Sequence, residues 1–206
     1  MSLRKLLALA AATLAFAAPA ALAQNPYATI SPPQPPDGGG KSEVIEFFWY
    51  GCAHCYSLEP AVTGWLKNAP KDVVFKRVPA VPSDSWGEMA KVYYTLEAMG
   101  QIDKYHQKVF DAMHQEKLNL ANKKVREEWL AKNGIEVVKY NEAAKSFSVA
   151  TKMQRAKQLT YAYKIDSVPR LVVNGKYYTG PENAGGTQNM FPVVDQLIGM
   201  TRKEKS

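Results

Sequence analysis

The stretch VIEFFWYGCAHCY, residues 44–56, decides the fold. Residues 43–50 are almost wholly apolar and lack the alternation of a half-buried strand, so they read as a strand covered on both faces. Gly51 ends it. From residue 52 to about 68 the period changes, and Leu58, Val62, Trp65 and Leu66 share one helical face. Residues 72–78, DVVFKRV, predict a second strand, stopped by Pro79 and Pro82. A β-α-β unit with a C-x-x-C pair at the head of its helix is the core of this reading.

Working outward, residues 85 to 164 are helical in pattern. One helix should run to Gly100, and others over 102–116, 122–133 and 137–163, with Trp86, Tyr105, Phe110 and Trp129 filling their core. Strands return with Leu171-Val172-Val173, the turn Asn174-Gly175 and Lys176-Tyr177-Tyr178, a hairpin with a strong two-residue turn signal. A last helix over about 187–200 carries Val193, Val194, Leu197 and Ile198. The simplest assembly is an α/β fold, one sheet built from both ends of the chain with helices inserted between them. No internal repeat is visible.

The N-terminus reads as an export signal over residues 1–23. Arg4 and Lys5 precede an apolar Ala/Leu-rich run, and Ala21-Leu22-Ala23 forms a cleavage site before Gln24. A membrane anchor is the competing reading, but the run is short and Pro19 breaks it. Residues 24–40, with SPPQPPDGGG at 31–40, should be an extended leader outside the core. The formal net charge of +7 falls to about +5 once Arg4 and Lys5 are removed. It is spread among acidic residues, with no basic stripe of the kind that binds nucleic acid.

Cys52 and Cys55 are the only cysteines. As a staple they do little: a four-residue ring contributes roughly 2 kcal/mol in the chain-entropy model, between residues a helix already holds together. As a structural metal site they lack partners. Zinc wants four ligands, His54 lies badly placed between the cysteines, and His106 and His114, eight apart, read as solvated helix residues. Thiol–disulfide exchange needs a nucleophilic thiolate with a second thiol in reach. C-x-x-C after a buried strand and at a helix N-terminus, where free amides and the helix dipole favour a negative sulfur, supplies both. Export to an oxidising compartment permits the disulfide.

VIEFFWYGCAHCYSLEP (44–60) and Ser167-Val168-Pro169 resemble the DsbA family of periplasmic disulfide oxidants, and the resemblance covers essentially all of 41–206. It implies a thioredoxin-like fold, residues 41–84 and 157–206, with an all-helical domain inserted at 85–156. It implies that Cys52 is the nucleophile, Cys55 its buried partner, His54 a stabiliser of the Cys52 thiolate, and Glu46 a buried acid relaying the Cys55 proton. Pro169 would be cis, and Val168 would offer its backbone to an extended substrate chain. A redox disulfide serves in place of a cofactor, and no metal is needed. The implied partners are reduced, unfolded exported proteins and a quinone-linked, DsbB-like membrane reoxidant, with a monomeric protein in the periplasm. Ala53 departs from the family, which usually has proline there, and bears on the redox poise. A periplasmic reductase or isomerase is the alternative within the same chemistry, and a copper or zinc chaperone the alternative outside it.

Overall fold

The structure, a computed structural model, describes residues 25–204; the export signal expected at 1–23 lies outside them. The central strand is Ser42–Phe48 (β2), following a short edge strand, Ala28–Thr29 (β1). All seven β2 residues are buried. Helix α1, Ala53–Asn68, crosses over to Val73–Pro79 (β3), which pairs parallel to β2. Five helices follow: Asp84–Ala98 (α2), Ile102–His114 (α3), Lys123–Lys132 (α4), Val137–Ala143 (α5) and Phe147–Ala162 (α6). Strands Arg170–Val173 (β4) and Tyr177–Thr179 (β5), a short helix Pro181–Ala184 (α7) and Met190–Lys203 (α8) complete the chain. Among the described residues the sheet order is β1-β5-β4-β2-β3, with β4 antiparallel to β2.

Both faces of β2 are covered, which is why its sequence does not alternate. Val44 packs with Leu58 and Val62 of α1 and with Phe191, Val194 and Leu197 of α8. Ile45 and Phe47 face the opposite way, into a cluster that also holds Met89, Leu96, Phe110, Leu130 and Val149 of the inserted helices. The insertion therefore shares one apolar core with the sheet. The expected boundary at 156/157 falls inside α6, which runs unbroken to Ala162.

Three local expectations need correction. The single helix over 137–163 is two helices, because Ser146 caps α6: its hydroxyl accepts the Val149 N–H at 3.3 Å. The leader at 24–40 is not outside the core. Ala28 and Thr29 pair with Tyr178 and Tyr177, and Ile30 is only 5% exposed. The β4–β5 hairpin leaves an open edge, and a short strand bounded by proline suits that edge. At its turn Asn174 and Gly175 both have positive φ (48° and 65°), and a Cβ on Gly175 would run into the Gln34 carbonyl. Trp86 does not fill the core as Tyr105, Phe110 and Trp129 do; half-buried, it stacks on Trp49 at 4.4 Å with planes 10° apart.

Candidate active site

Gly51 makes the turn between β2 and α1 possible: the Trp49 indole folds over it, where a Cβ would collide with the ring. Cys52 follows as the N-cap of α1, with extended backbone (φ −90°, ψ 117°). Its Sγ accepts the Cys55 N–H at 3.4 Å and lies 3.3 Å from the Val168 carbonyl, to which the thiol donates. Both cysteines are free thiols, Cys52 half-buried and Cys55 fully buried.

The two thiols titrate in opposite directions. Cys52 falls from 9.0 to about 6. The hydrogen bond from Cys55 is the largest cause, opposed by partial burial and helped by the amides of residues 55 and 54 and by the His54 charge. The Cys55 thiol is thus the main donor to the sulfur, and the amides of the helix N-terminus add to it. Cys55 is pushed well above 9.0, chiefly by burial, then by Cys52 and by the nearby charge of Glu46.

His54 is exposed on the first turn of α1. Across the site the Val168–Pro169 bond is cis. The loop that carries it is gripped by the buried base of the hairpin: Arg170 donates to Ser167 Oγ at 2.6 Å, to Asp166 and Asn183 at 3.2 Å, and to Glu182. Nothing in the sequence pattern marked Arg170 for this role.

Glu46 lies behind the cysteines on β2, 0% exposed and in register with Arg77 of β3. Arg77 Nε is 3.2 Å from its carboxylate. Burial, then the charge of Glu59, raises Glu46 to about 8, against the pull of Arg77. Glu59, on α1, was not singled out by the sequence. It is 3% exposed and accepts from Arg77 Nη2 at 3.0 Å, with its other oxygen 3.2 Å from His106 Nε2. Burial alone would raise Glu59; the hydrogen bond and charge from His106 and then Arg77 outweigh it and hold it below the carboxylate range. Burial holds His106 below its ordinary value, against the pull of Glu59.

His106 and His114 are thus not solvated helix residues. His106 is buried, and its Nδ1 lies 2.8 Å from the Tyr50 hydroxyl. His114 is partly buried, with Nε2 2.8 Å from the Tyr50 carbonyl and its ring stacked on Tyr56 at 4.9 Å. The signal was present. His106, Phe110 and His114 are four apart, so both histidines flank a core phenylalanine on the inner stripe of α3. Among the described residues no cluster of three or more His, Cys, Asp or Glu could hold a metal ion.

Comparison with known proteins agrees on one family. The DSBA-like thioredoxin domain profile matches residues 72–197. The thiol:disulfide interchange protein DsbA of Bordetella parapertussis is 45% identical over 197 residues, covering 95% of this chain and 94% of that one. The DsbA of Azotobacter vinelandii is 44% identical over 163 residues, 79% of this chain and 76% of its own. The crystal structure of Pseudomonas aeruginosa DsbA superposes with a TM-score of 0.82 at 38% identity, covering 88% of this chain and 94% of the other.

Proposed function

The chain belongs to the DsbA family of thiol:disulfide interchange proteins and is a disulfide oxidoreductase; on that premise we propose that Cys52 is its nucleophilic sulfur and that it donates a Cys52–Cys55 disulfide to reduced proteins. A substrate thiolate attacks Cys52 Sγ of the oxidised pair. A substrate–Cys52 disulfide forms, the Cys52–Cys55 bond breaks, and Cys55 leaves with the electron pair. A second substrate thiolate then attacks the substrate sulfur, closes the substrate disulfide and expels Cys52 as thiolate. Substrate loses two electrons and the enzyme gains them, ending in the dithiol form of this structure.

One observation carries the direction of transfer: Cys52 caps α1, accepts the Cys55 N–H, and has its pKa lowered to about 6, first by the Cys55 thiol and then by the helix amides. At pH 7 thiolate then exceeds thiol roughly ten to one. A stable leaving thiolate favours the reduced enzyme, so the disulfide is given away. The lowered pKa stabilises the reduced fold above the ordinary thiol value, and this contribution is lost as pH falls through about 6. Thiolate absorbance of the reduced protein should therefore titrate with a midpoint near 6. A midpoint near the ordinary value would overturn the donor assignment.

Cys55 needs a proton when it leaves, since burial disfavours its thiolate. Glu46, about half protonated near pH 8, is the supplying acid and takes the proton back on reoxidation. Its cost is visible in the pH dependence of stability. A carboxyl raised from 4.5 to about 8 binds more protons folded than unfolded, so stability falls between those values. Glu46→Gln should raise the stability at pH 8 by about 1–3 kcal/mol, well inside the limit set by the shift, and leave it unchanged at pH 4. It should also slow turnover. Denaturant midpoints at the two pH values check the first claim; equal gains at both would remove the buried acid.

His54 stabilises the Cys52 thiolate, and Val168, beside the cis Pro169, pairs its backbone with an extended substrate segment. The substrates are newly exported proteins in the periplasm, and a quinone-linked membrane protein restores the disulfide. The export signal at 1–23 and the family support this placement, and among the described residues no helix is long and apolar enough to cross a membrane.

A further inference from the structure

Residue 50 sits between the buried end of β2 and the nucleophile. Its carbonyl faces His114 Nε2 and its hydroxyl faces His106 Nδ1, each at 2.8 Å. The two histidines stand about 12 Å apart along α3, and Tyr50 meets one with its carbonyl and the other with its hydroxyl. A carbonyl only accepts, so His114 carries its hydrogen on Nε2. Glu59 accepts from His106 Nε2–H, which leaves Nδ1 to accept from the Tyr50 hydroxyl. One set of donors satisfies the chain from Tyr50 through His106 and Glu59 to Arg77 Nη2 without conflict; beyond it Arg77 Nε is ion-paired with Glu46 at 3.2 Å, and both Glu46 oxygens lack a hydrogen-bond partner among the described residues.

We infer that His106 and His114 are positioning residues for the nucleophile: they hold Tyr50 at both ends, and so fix the turn that presents Cys52 to its amide donors. The inference deepens the function proposed above and rests on it. On the side of α3, Phe110 packs on the Tyr50 ring and Asp111 accepts from the Tyr56 hydroxyl, while the two histidines bond Tyr50 itself. Trp49 accepts the Cys52 N–H at 3.0 Å, and the Cys52 carbonyl accepts the Tyr56 N–H at 3.0 Å. His114 also stacks on Tyr56, so it ties the turn and the first turn of α1 to the same point on α3. The inserted helices thereby reach the sulfur without touching it. Freed from the histidines, residues 49–51 could rotate Sγ away from the N–H groups of residues 54 and 55. His106 must be neutral for this, since a hydrogen on both nitrogens would set N–H against the Tyr50 O–H. Burial and Arg77 of β3 lower its pKa toward that form, against Glu59 of α1 and Asp103 of α3, with Tyr93 of α2 and Lys67 of α1 lining the same space.

The test uses the full reduced protein and three variants. Tyr50→Phe removes only the hydroxyl, His114→Ala removes the carbonyl donor, and His114→Gln keeps a donor near the Nε2 position. The acid limb of the Cys52 thiolate titration should fall about fivefold in each of the first two, as expected for one lost hydrogen bond. His114→Gln should return to within about twofold of the parent. A purely structural role predicts lower denaturant midpoints with an unmoved titration, and that result overturns the inference, as does a His114→Gln protein no better than His114→Ala. Tyr50→Phe, which keeps the ring, carries the test if His114→Ala does not fold. An ordinary titration in the parent removes the donor assignment and the inference together; a depressed one that no variant moves removes the inference alone.

Discussion

Cys55→Ser should accumulate a covalent adduct with a reduced client protein, while Cys52→Ser should form none and lose disulfide transfer completely. The difference follows from the asymmetry of the pair. Cys52 is half-buried at the head of α1, where a sulfur can be approached and leave as an anion. Cys55 is fully buried one turn inward, under the first, and is held protonated. A lone Cys52, supplied as a mixed disulfide with a small thiol, still accepts a client sulfur, but Cys55 is not there to reverse the adduct. A lone Cys55 offers a reluctant thiolate with no path to solvent. Oxidative turnover should fall by more than about 1000-fold in both variants, since the dithiol couple is gone. Non-reducing electrophoresis with a reduced, unfolded client separates them. Adducts with Cys52→Ser, or none with Cys55→Ser, would reverse the roles.

The second large effect is on stability. Phe110 is 0% exposed and its ring meets Tyr50 at 4.8 Å, His106 at 5.3 Å, Tyr56 at 5.9 Å, and Phe48 and His114 at 6.0 Å. It fills the joint between α3 and the catalytic turn. Phe110→Ala should cost about 3–5 kcal/mol through lost burial and the cavity left behind, a large part of the roughly 5–15 kcal/mol that holds a domain. Phe147→Ala is the control. That ring is 87% exposed, and its loss should stay within about 0.5 kcal/mol. Denaturant midpoints at equal slope measure both. A Phe110→Ala loss below about 1 kcal/mol would mean the joint is not packed as described.

Much of the fold was legible because it depends on local period. The double-sided strand, the helix after Cys52 and the Asn174-Gly175 hairpin are each set by neighbours in sequence. What failed depends on distant partners. The edge strand at Ala28–Thr29 exists only because the hairpin at residues 170–179 leaves an edge to cover, and no pattern within residues 24–40 records that. The break at Ser146 is a contest between a side-chain cap and helix continuation, and composition alone does not decide it. At the site, the residues of the C-x-x-C motif announce their chemistry by type and spacing. Glu59, Arg77 and His106 do not: each is an ordinary residue on a helix or strand until three elements bring them together. The α3 stripe through Phe110 was the one clue, and it identifies His106 and His114 as inward-facing.

The departure at Ala53 removes no hydrogen bond to the Cys52 sulfur. The amides that lower the Cys52 pKa belong to residues 54 and 55. Residue 53 is the first of the helix, where a proline would fit and where no donor to the sulfur is lost or gained.

The pairing of Ala28 with Tyr178 and Thr29 with Tyr177 joins the earliest described part of the chain to one of the latest. β2 likewise waits for β4, with the Glu43 N–H bonded to Asn174 Oδ1 across 131 positions. Such closures are entropically costly and slow to find, and none can form before the last strands exist. A chain that emerges N-terminus first therefore presents its cysteine segment long before its own sheet can close. Until then both thiols belong to a chain whose sheet is still open, and the geometry that sets them apart does not yet exist.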